Sequence, residues 1–252
     1  MKLIVVDIDG TLIDSPREKV PSDSFIKVVQ DIKEDYLVTC ATGRSMSWAK
    51  PVLESAGFTA PPIIGGGTLI LNPVTLQPEH EYYIPQDQLK NIKSILKAYP
   101  DSRVLFNDYT EEEYLNGGWE LSTLLESGSC YIMEVVELSH ERADELIAQF
   151  IALQGVTSVK MRSLKPGLVD IHVVNELSTK EHAIGVIQKE LGISKEDTIG
   201  IGDGHNDFHI FKAVGTKVAV ANAVPELKGL ADEVIDDVKS DPVTEYLKKL
   251  KM

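Results

Sequence analysis

Short apolar runs alternate with helical patterns at both ends of this chain, and that alternation constrains the fold more than any other feature. The first run, LIVVDI at residues 3–8, is typical of a strand that is covered on both faces of a parallel sheet. A helix is predicted next, because Ser22 is placed to cap it and apolar residues follow at helical spacing. Its buried face is predicted to consist of Phe25, Val28, Val29 and Ile32.

The alternation continues and then returns near the C-terminus. YLVTCAT at 36–42 is predicted to form a second strand, a helix follows around Trp48 to Ala56, and PPIIGG comes next. Residues 198–252 repeat the pattern with the strands TIGIGD, KVAVAN and EVIDD and with intervening helices. Strands at such short intervals require right-handed crossovers, so we predict an α/β fold with a mostly parallel sheet.

The middle of the chain is organised differently. Helices at 86–99 and 139–153 are interleaved with strand-like runs that come in close pairs, which is typical of an antiparallel sheet in an α+β domain. We therefore expect a core of residues 1–81 and 176–252, into which residues 82–175 are inserted as a second domain. The strand-like runs are RVLF, CYIMEVVEL, TSVKMRS and LVDIHVV.

Composition argues against several classes of function. The 252 residues include 39 acidic and 25 basic side chains, which gives a formal net charge of −14. Nucleic-acid binding needs a clustered basic surface, and the sequence shows none, so we expect no nucleic-acid partner. Apolar stretches fall far short of the about 18 residues of a membrane span, and no leader pattern opens the chain. With only Cys40 and Cys130 and no disulfide framework, we expect a cytoplasmic protein without a membrane partner.

The first strand ends in two aspartates two positions apart, Asp7 and Asp9, and Gly10 predicts a turn after them. Carboxylates so close repel each other, so something must hold at least one of them ionised, and a divalent cation is the usual answer. Open α/β sheets bind their ligands at the carboxyl ends of the strands, which favours a site here. An Asx turn is the alternative, but it needs only one aspartate.

The second strand ends in ATGRS, residues 41–45, at the same predicted edge. Thr42 offers a hydroxyl and Arg44 a planar cationic fork to an anion. Cys40 raises the alternative of a thiolate phosphatase, but such loops place more residues between cysteine and arginine than stand here. A buried and inert Cys40 is therefore favoured.

A single lysine is the third candidate. Residues 178–181, STKE, match a capping box, which predicts Ser178 as the N-cap and Lys180 as the second residue of a helix. Lys180 then shares a face with the apolar stripe, and its charge opposes the helix dipole. Two broken rules at one residue indicate a functional site, and a surface lysine that reaches solvent is an equal alternative. The stripe consists of Ala183, Ile184, Ile187 and Leu191.

The fourth candidate is IGIGDGHNDFHIF. An apolar strand again ends in an aspartate, Asp203, followed by glycine and then by Asn206 and Asp207 at the start of a helix. A turn with one aspartate is ordinary, but GDGHND after a buried strand is much less so. His205 and His209 could suggest zinc, and the lack of a further histidine or cysteine nearby disfavours it.

Together, DIDGTL, ATGR, Lys180 at the start of a helix and GDGHND resemble the four signature motifs of the haloacid dehalogenase-like (HAD) superfamily, in the same order. The inserted segment is similar to the large cap of the Cof-type, subfamily IIB phosphatases. The resemblance implies a Rossmann-like core and a mobile α/β cap of the C2B type. The chain departs from the pattern where relatives carry Asn-Gly, because Gly65, Gly66 and Gly67 stand there, which leaves one substrate contact in doubt.

The resemblance also implies roles for the motif residues. Asp7 is implied as the nucleophile that forms an aspartyl-phosphate, and Asp9 as the general acid and base. Mg²⁺ is implied to bind Asp7, the backbone carbonyl of Asp9 and Asp203, with Asp207 as a ligand or next to one. The residues implied to hold the phosphoryl oxygens or the adjoining substrate are Thr42, Gly43, Arg44, Lys180 and Asn206.

The charges of these residues support the assignment. Four aspartates carry −4, while Arg44, Lys180 and one Mg²⁺ carry +4, so the site is near neutral and becomes about +1 when Asp9 is protonated. Without the metal the site would repel a phosphate dianion. We therefore predict an Mg²⁺-dependent phosphatase for a small phosphorylated metabolite, such as a sugar phosphate.

Alternatives remain at this point. A phosphomutase shares the motifs, but it must shelter its phosphoenzyme from water. A phosphatase for a phosphorylated small acid, such as phosphoglycolate, is a further alternative. A dehalogenase is disfavoured, because an alkyl halide does not need the acid that Asp9 supplies. A non-catalytic binding domain is hard to reconcile with a complete set of charged motif residues.

Specificity is predicted to depend on the inserted segment. Asp170 and His172 share one face of the strand 168–174, which leads into Lys180. That face is a candidate to look toward the site, and a plain solvent face is an equal alternative.

Overall fold

The structure, a computed structural model, describes residues 1–14, 20–117 and 129–251. The chain divides into two compact units, one of Met1–His80 with Thr179–Met252 and one of Glu81–Ser178. None of the helices in these described ranges has the length and apolar character needed to cross a membrane.

Strands and helices are numbered separately in chain order. The strands are β1 (Lys2–Val6), β2 (Tyr36–Cys40), β3 (Ile63–Ile64), β4 (Leu69–Leu71), β5 (Pro78–Glu81), β6 (Arg103–Phe106), β7 (Met133–Leu138), β8 (Val156–Arg162), β9 (Val169–Asn175), β10 (Thr198–Gly202), β11 (Thr216–Val220) and β12 (Glu233–Ile235). The α-helices are α1 (Asp23–Ile32), α2 (Met46–Ala56), α3 (Gln86–Leu96), α4 (Glu111–Asn116), α5 (His140–Phe150), α6 (Lys180–Leu191), α7 (Phe208–Ala213), α8 (Pro225–Lys228) and α9 (Pro242–Leu250).

The larger unit is built on a five-stranded sheet of order β12-β11-β10-β1-β2, in which every neighbouring pair is parallel. Residues 3–6 of β1 are completely buried, as its apolar sequence predicts. Val6 lies opposite Ile201 of β10 on one side and Cys40 of β2 on the other. The carboxyl ends of three strands therefore meet at one edge, and the predicted α/β fold with a mostly parallel sheet is confirmed.

Helix α1 forms where the sequence predicts it. The hydroxyl of Ser22 accepts a hydrogen bond from the N–H of Phe25 at 3.0 Å, which satisfies one of the free donors at the helix start. All four residues of the predicted stripe are buried. Amphipathic spacing and a capping serine were sufficient for this element.

The smaller unit contains a four-stranded sheet of order β6-β7-β9-β8 whose neighbours are antiparallel. Its apolar core includes residues of the sheet and of α3 and α5, among them Leu89, Phe150 and Ile171. The α+β character predicted for the middle of the chain is confirmed. Helices α3 and α5 end at Leu96 and Phe150, a few residues before the predicted ends. The residues that follow each helix form turns with i→i+3 hydrogen bonds instead of further helical turns.

The predicted start of α6 is wrong by one residue. Thr179, not Ser178, is the N-cap, because the Thr179 hydroxyl accepts a hydrogen bond from the N–H of His182 at 3.1 Å. Lys180 is thus the first residue of the helix. The predicted apolar stripe is buried except for Leu191, which lies in the last turn and is exposed.

Candidate active site

Three aspartates converge at the carboxyl edge of the parallel sheet. Asp7 follows β1 and Asp203 follows the neighbouring β10, while Asp207 lies one turn further along the chain. Carboxylate oxygens of these three residues all lie within 4.8 Å of one another. Because the two strands are adjacent, residues almost two hundred positions apart form one acidic cluster.

Lys180 is the cation of this cluster. Its Nζ lies 2.6 Å from Oδ1 of Asp7 and 2.7 Å from Oδ1 of Asp207, and the residue is 2% exposed. The alternative of a surface lysine is therefore wrong. Burial lowers the pKa of Lys180, but the charges of Asp207 and Asp7 outweigh burial, so the pKa is raised and the ammonium stays protonated.

One lysine does not neutralise three carboxylates. Burial, and next the charge of Asp207, raise the pKa of Asp7 well above its usual value. The same two causes raise the pKa of Asp203 to about 7. Both shifts show that the ionised forms of these neighbouring carboxylates repel each other, so a cation bound among their oxygens would be stabilised. A hard divalent cation such as Mg²⁺ prefers oxygen ligands, so the residues present fit such an ion.

Asp207 is engaged by its neighbours on both oxygens. Oδ1 accepts from Lys180, and Oδ2 accepts from the N–H groups of Asp203 and Gly204, each at 2.9 Å. The residue is completely buried. This arrangement lets Asp207 hold both the lysine and the loop that presents Asp203.

The turn after Asp9 lies against the Asp203 carboxylate. Gly10 has φ +84°, and a Cβ at this position would lie 2.5 Å from Oδ2 of Asp203, so any side chain there would clash. The hydroxyl of Thr11 also donates to Oδ1 of Asp203, at 3.2 Å. The turn in DIDGT therefore packs against the loop that carries Asp203.

Arg44 forms a two-point ion pair with Asp9. Its Nε lies 2.9 Å from Oδ2 and its Nη2 2.7 Å from Oδ1, while Nη1 donates to the carbonyl oxygen of Trp48 at 3.1 Å. The carboxylate of Asp9 thus faces Arg44. The sequence placed Arg44 on the phosphoryl group, and this pairing with Asp9 is a relationship that it did not predict.

Main-chain hydrogen bonds join the ATGR loop to the three glycines. The N–H groups of Gly65 and Gly66 donate to the carbonyl oxygens of Arg44 and Thr42, each at 2.8 Å. A Cβ on Gly67 would lie 2.4 Å from the carbonyl oxygen of Thr179, so the absence of a side chain allows this loop to approach the start of α6. The three glycines therefore contact both the ATGR loop and the start of α6, which carries Lys180.

The remaining predicted residues lie in the same loops. Thr42 is completely buried, and its hydroxyl accepts a hydrogen bond from the N–H of Arg44 at 3.1 Å. Gly43 is the residue between them. Asn206 lies in the short 3₁₀ helix His205–Asp207, where its Oδ1 would be 2.8 Å from a Cβ on Gly204.

Cys40 lies at the end of β2 and is buried. Burial and the charge of Asp7 raise its pKa to about 12, so the sulfur stays a thiol. A thiol is a poor nucleophile, which supports the interpretation of Cys40 as an inert core residue.

In the smaller unit, Asp170 and His172 are both buried, so the alternative of a plain solvent face is wrong. His172 Nε2 lies 2.7 Å from Oε1 of Glu134, and the same oxygen accepts a hydrogen bond from the Tyr109 hydroxyl. Asp170 accepts from the Tyr114 hydroxyl. Glu134 was not predicted from the sequence, because only the strand register of the structure pairs it with His172.

Comparisons with known proteins agree with the motifs. Residues 4–247 match the family model of haloacid dehalogenase-like hydrolases. The phosphoglycolate phosphatase of Methanopyrus kandleri is 27% identical over 98% of this chain and 96% of its own length. The putative phosphatase YkrA of Bacillus subtilis is 26% identical over 99% of this chain and 97% of its own length.

Solved structures share the fold. BT1666 from Bacteroides thetaiotaomicron, described among phosphatases of the HAD enzyme superfamily, has a TM-score of 0.80 at 20% identity and covers 99% of this chain and 94% of its own. BT4131, described as a HAD subclass IIB sugar phosphatase, has a TM-score of 0.75 at 18% identity and covers 99% of both chains. The predicted family is confirmed, and the chain belongs to the haloacid dehalogenase-like hydrolases.

Proposed function

We propose that this protein is an Mg²⁺-dependent phosphatase that hydrolyses a small phosphorylated metabolite through an aspartyl-phosphate. The observation that carries the proposal is the buried cluster of Asp7, Asp203 and Asp207 with Lys180 at the carboxyl edge of a parallel sheet. Such a cluster supplies a carboxylate nucleophile and fixed charge at one point, which is what transfer of a phosphoryl group needs.

In the first half-reaction, a carboxylate oxygen of Asp7 bonds to phosphorus and the bond from phosphorus to the ester oxygen breaks. Asp9 gives its proton to the leaving oxygen, so the alcohol departs neutral. In the second, Asp9 takes a proton from water, whose oxygen bonds to phosphorus while the bond to Asp7 breaks. The products are the alcohol and inorganic phosphate, and both aspartates return to their first state.

Asp7, Asp203 and the backbone carbonyl of Asp9 are the groups that would hold Mg²⁺. The ion supplies positive charge next to the phosphoryl oxygens when it is bound. Asp207 acts through its hydrogen bonds to the Asp203 loop and to Lys180, so we assign it a positioning role. Lys180 places an ammonium beside the nucleophile and completes the charge of the site.

Arg44 orients the acid in this scheme. Its two-point contact fixes the direction of the Asp9 carboxylate, and Asp9 must give up one of these contacts to carry the proton that it donates. Thr42, Gly43 and Asn206 remain the candidates for contacts with the phosphoryl oxygens. These roles follow from the family resemblance and from the position of each residue at the sheet edge.

Two substrate classes are supported. Relatives from Methanopyrus kandleri, Methanothermobacter thermautotrophicus and Staphylothermus marinus, at 26–27% identity, are named phosphoglycolate phosphatases. A solved structure with the same fold is described as a sugar phosphatase. We therefore propose a small phosphorylated acid or a phosphorylated sugar as the substrate.

The test is release of inorganic phosphate by the purified protein from phosphoglycolate and from a panel of sugar phosphates, with Mg²⁺ or with excess chelator. We expect turnover with Mg²⁺ only. Asp7→Asn should reduce it to the level without enzyme, because an amide cannot form the acyl phosphate. Turnover by Asp7→Asn at the wild-type rate would contradict the proposal.

The same samples separate a phosphatase from a phosphomutase. Release of inorganic phosphate indicates hydrolysis, and recovery of an isomerised phosphate ester without release indicates a mutase. Beryllium fluoride, which mimics an aspartyl-phosphate, should bind the wild type and not Asp7→Asn. Failure to bind either protein would favour a non-catalytic binding domain.

A further inference from the structure

A segment without any motif residue contacts the main chain of both aspartate loops. Residues 221–224 follow β11 in the parallel sheet. Nδ2 of Asn222 donates to the carbonyl oxygen of Gly10 at 2.7 Å, and the N–H of Val224 donates to the carbonyl oxygen of Asp203 at 2.9 Å. One short segment therefore holds the turn after Asp9 and the loop of Asp203 together.

The amide of Asn222 is engaged at both ends. Its Oδ1 accepts a hydrogen bond from the N–H of Val238 at 2.9 Å, at the start of the 3₁₀ helix Val238–Ser240. Donation to Gly10 at one end and acceptance from Val238 at the other need a side chain with both a donor and an acceptor, which an amide has and a carboxylate lacks. Asparagine thus joins the segments that follow β1, β11 and β12.

The carbonyl that Asn222 holds lies in a turn with little freedom to move. Gly10 packs against the Asp203 carboxylate so closely that a Cβ would lie 2.5 Å from Oδ2. A rotation of the Gly10–Thr11 peptide group would move Thr11, whose hydroxyl donates to Oδ1 of Asp203, or press Gly10 on that carboxylate. The hydrogen bond from Asn222 opposes that rotation.

We infer that Asn222 is a positioning residue, which holds the Asp9–Gly10 turn in register with the Asp203 loop without touching substrate. The inference rests on the proposed function of Asp9 and Asp203. Groups that orient a metal site or its ligands typically contribute about 10- to 100-fold to activity or metal affinity.

Asn222→Asp tests the inference, because it keeps an acceptor for Val238 and loses the donor to Gly10. The first measurement is hydrogen–deuterium exchange of residues 8–13 in the metal-free protein, and the second is kcat and KM for phosphate release. We expect faster exchange in residues 8–13, a kcat lowered about 10- to 100-fold and a KM close to that of the wild type. Asn222→Ala, which adds no charge, should behave in the same way and decides the test if Asn222→Asp does not fold.

Asn72→Asp is the matched control. The hydrogen bonds found for the Asn72 side chain reach Val74, Thr75 and Glu79, all within its own hairpin. This variant should leave exchange in residues 8–13 and kcat unchanged. Wild-type exchange together with wild-type kcat in Asn222→Asp would overturn the inference. If the wild type hydrolyses no phosphate ester, the proposed function fails, but hydrogen–deuterium exchange of residues 8–13 still tests the role of Asn222. The two failures are therefore distinguishable.

Discussion

The ammonium nitrogen of Lys180 lies 2.6 Å from Oδ1 of Asp7 and joins the first residue of α6 to the residue that follows β1. The two residues are 173 positions apart in the chain and both are buried. A buried ion pair contributes little net stability, because desolvation of both charges offsets their attraction, but removal of one partner is costly. The pair therefore fixes the position of the Asp7 carboxylate, which we propose as the nucleophile.

Lys180→Met should destabilise the protein by about 3–5 kcal/mol at pH 8, because it leaves buried carboxylates without their cation. The loss should be smaller at pH 5, where Asp7 can bind a proton more readily. Urea denaturation at the two pH values measures both. Lys160→Met, which removes a partly exposed ion pair with Asp144, is the control and should cost less than about 1 kcal/mol. Equal losses for the two variants would contradict a structural role of the buried pair.

Mg²⁺ should stabilise the folded protein more at pH 8 than at pH 5. The pKa of Asp203 is raised to about 7 in the folded state, so the folded protein binds the extra proton and its stability falls as pH rises from about 4 through about 7. Asp7 shifts in the same direction. A bound cation removes this cost where the carboxylates are ionised. At free Mg²⁺ about 100-fold above Kd, the gain of about 2.7 kcal/mol raises Tm by about 5–10 °C.

Thermal unfolding with Mg²⁺ or chelator at the two pH values provides the measurement. In Asp203→Asn, the stabilisation by Mg²⁺ should be nearly the same at pH 5 and pH 8, because this variant lacks the carboxyl group that titrates between them. An Mg²⁺ effect of the same size at pH 5 and pH 8 would refute the assignment of these carboxylates as the metal site.

Arg44→Lys should lower kcat more than it changes KM. Lysine keeps the charge, but a single ammonium cannot span both oxygens of Asp9 as the guanidinium does. Misplacement of a catalytic group by about 1 Å costs about 100-fold, so we expect kcat to fall about 10- to 100-fold. Lys50→Met on the exposed face of α2 is the control. A raised KM with wild-type kcat would instead place Arg44 on the substrate, as the resemblance implies.

Glu134→Ala should destabilise the smaller unit. The change removes an acceptor that Tyr109 and His172 share, and loss of a buried hydrogen-bonding partner costs about 1–3 kcal/mol. Urea denaturation provides the measurement. Glu145→Ala on the exposed face of α5 should stay within about 0.5 kcal/mol of the wild type. A change for Glu134→Ala no larger than that of the control would show that the hydrogen bonds to Glu134 contribute nothing measurable to stability.

Local patterns were sufficient for the strands that end in the motif loops and for the helices α1 and α2. Apolar runs predicted β1 and β10, amphipathic spacing predicted α1, and each run ended in the aspartate that the structure brings to the sheet edge. These features depend on neighbours within a few residues, which sequence shows directly. The start of α6 was misplaced because Ser178 and Thr179 are both acceptable N-caps, and only the observed hydrogen bond to His182 selects Thr179.

The sequence by itself therefore determined the fold class and the residues of the acidic cluster. Only the tertiary structure decided that Arg44 pairs with Asp9, that Glu134 lies opposite His172 and that Asn222 holds Gly10. The physical reason is strand order: β10 and β2 lie on either side of β1, and no local pattern records which strands become neighbours. Long-range pairing therefore set the contacts that local patterns did not predict, such as those of Arg44 with Asp9 and of Asn222 with Gly10.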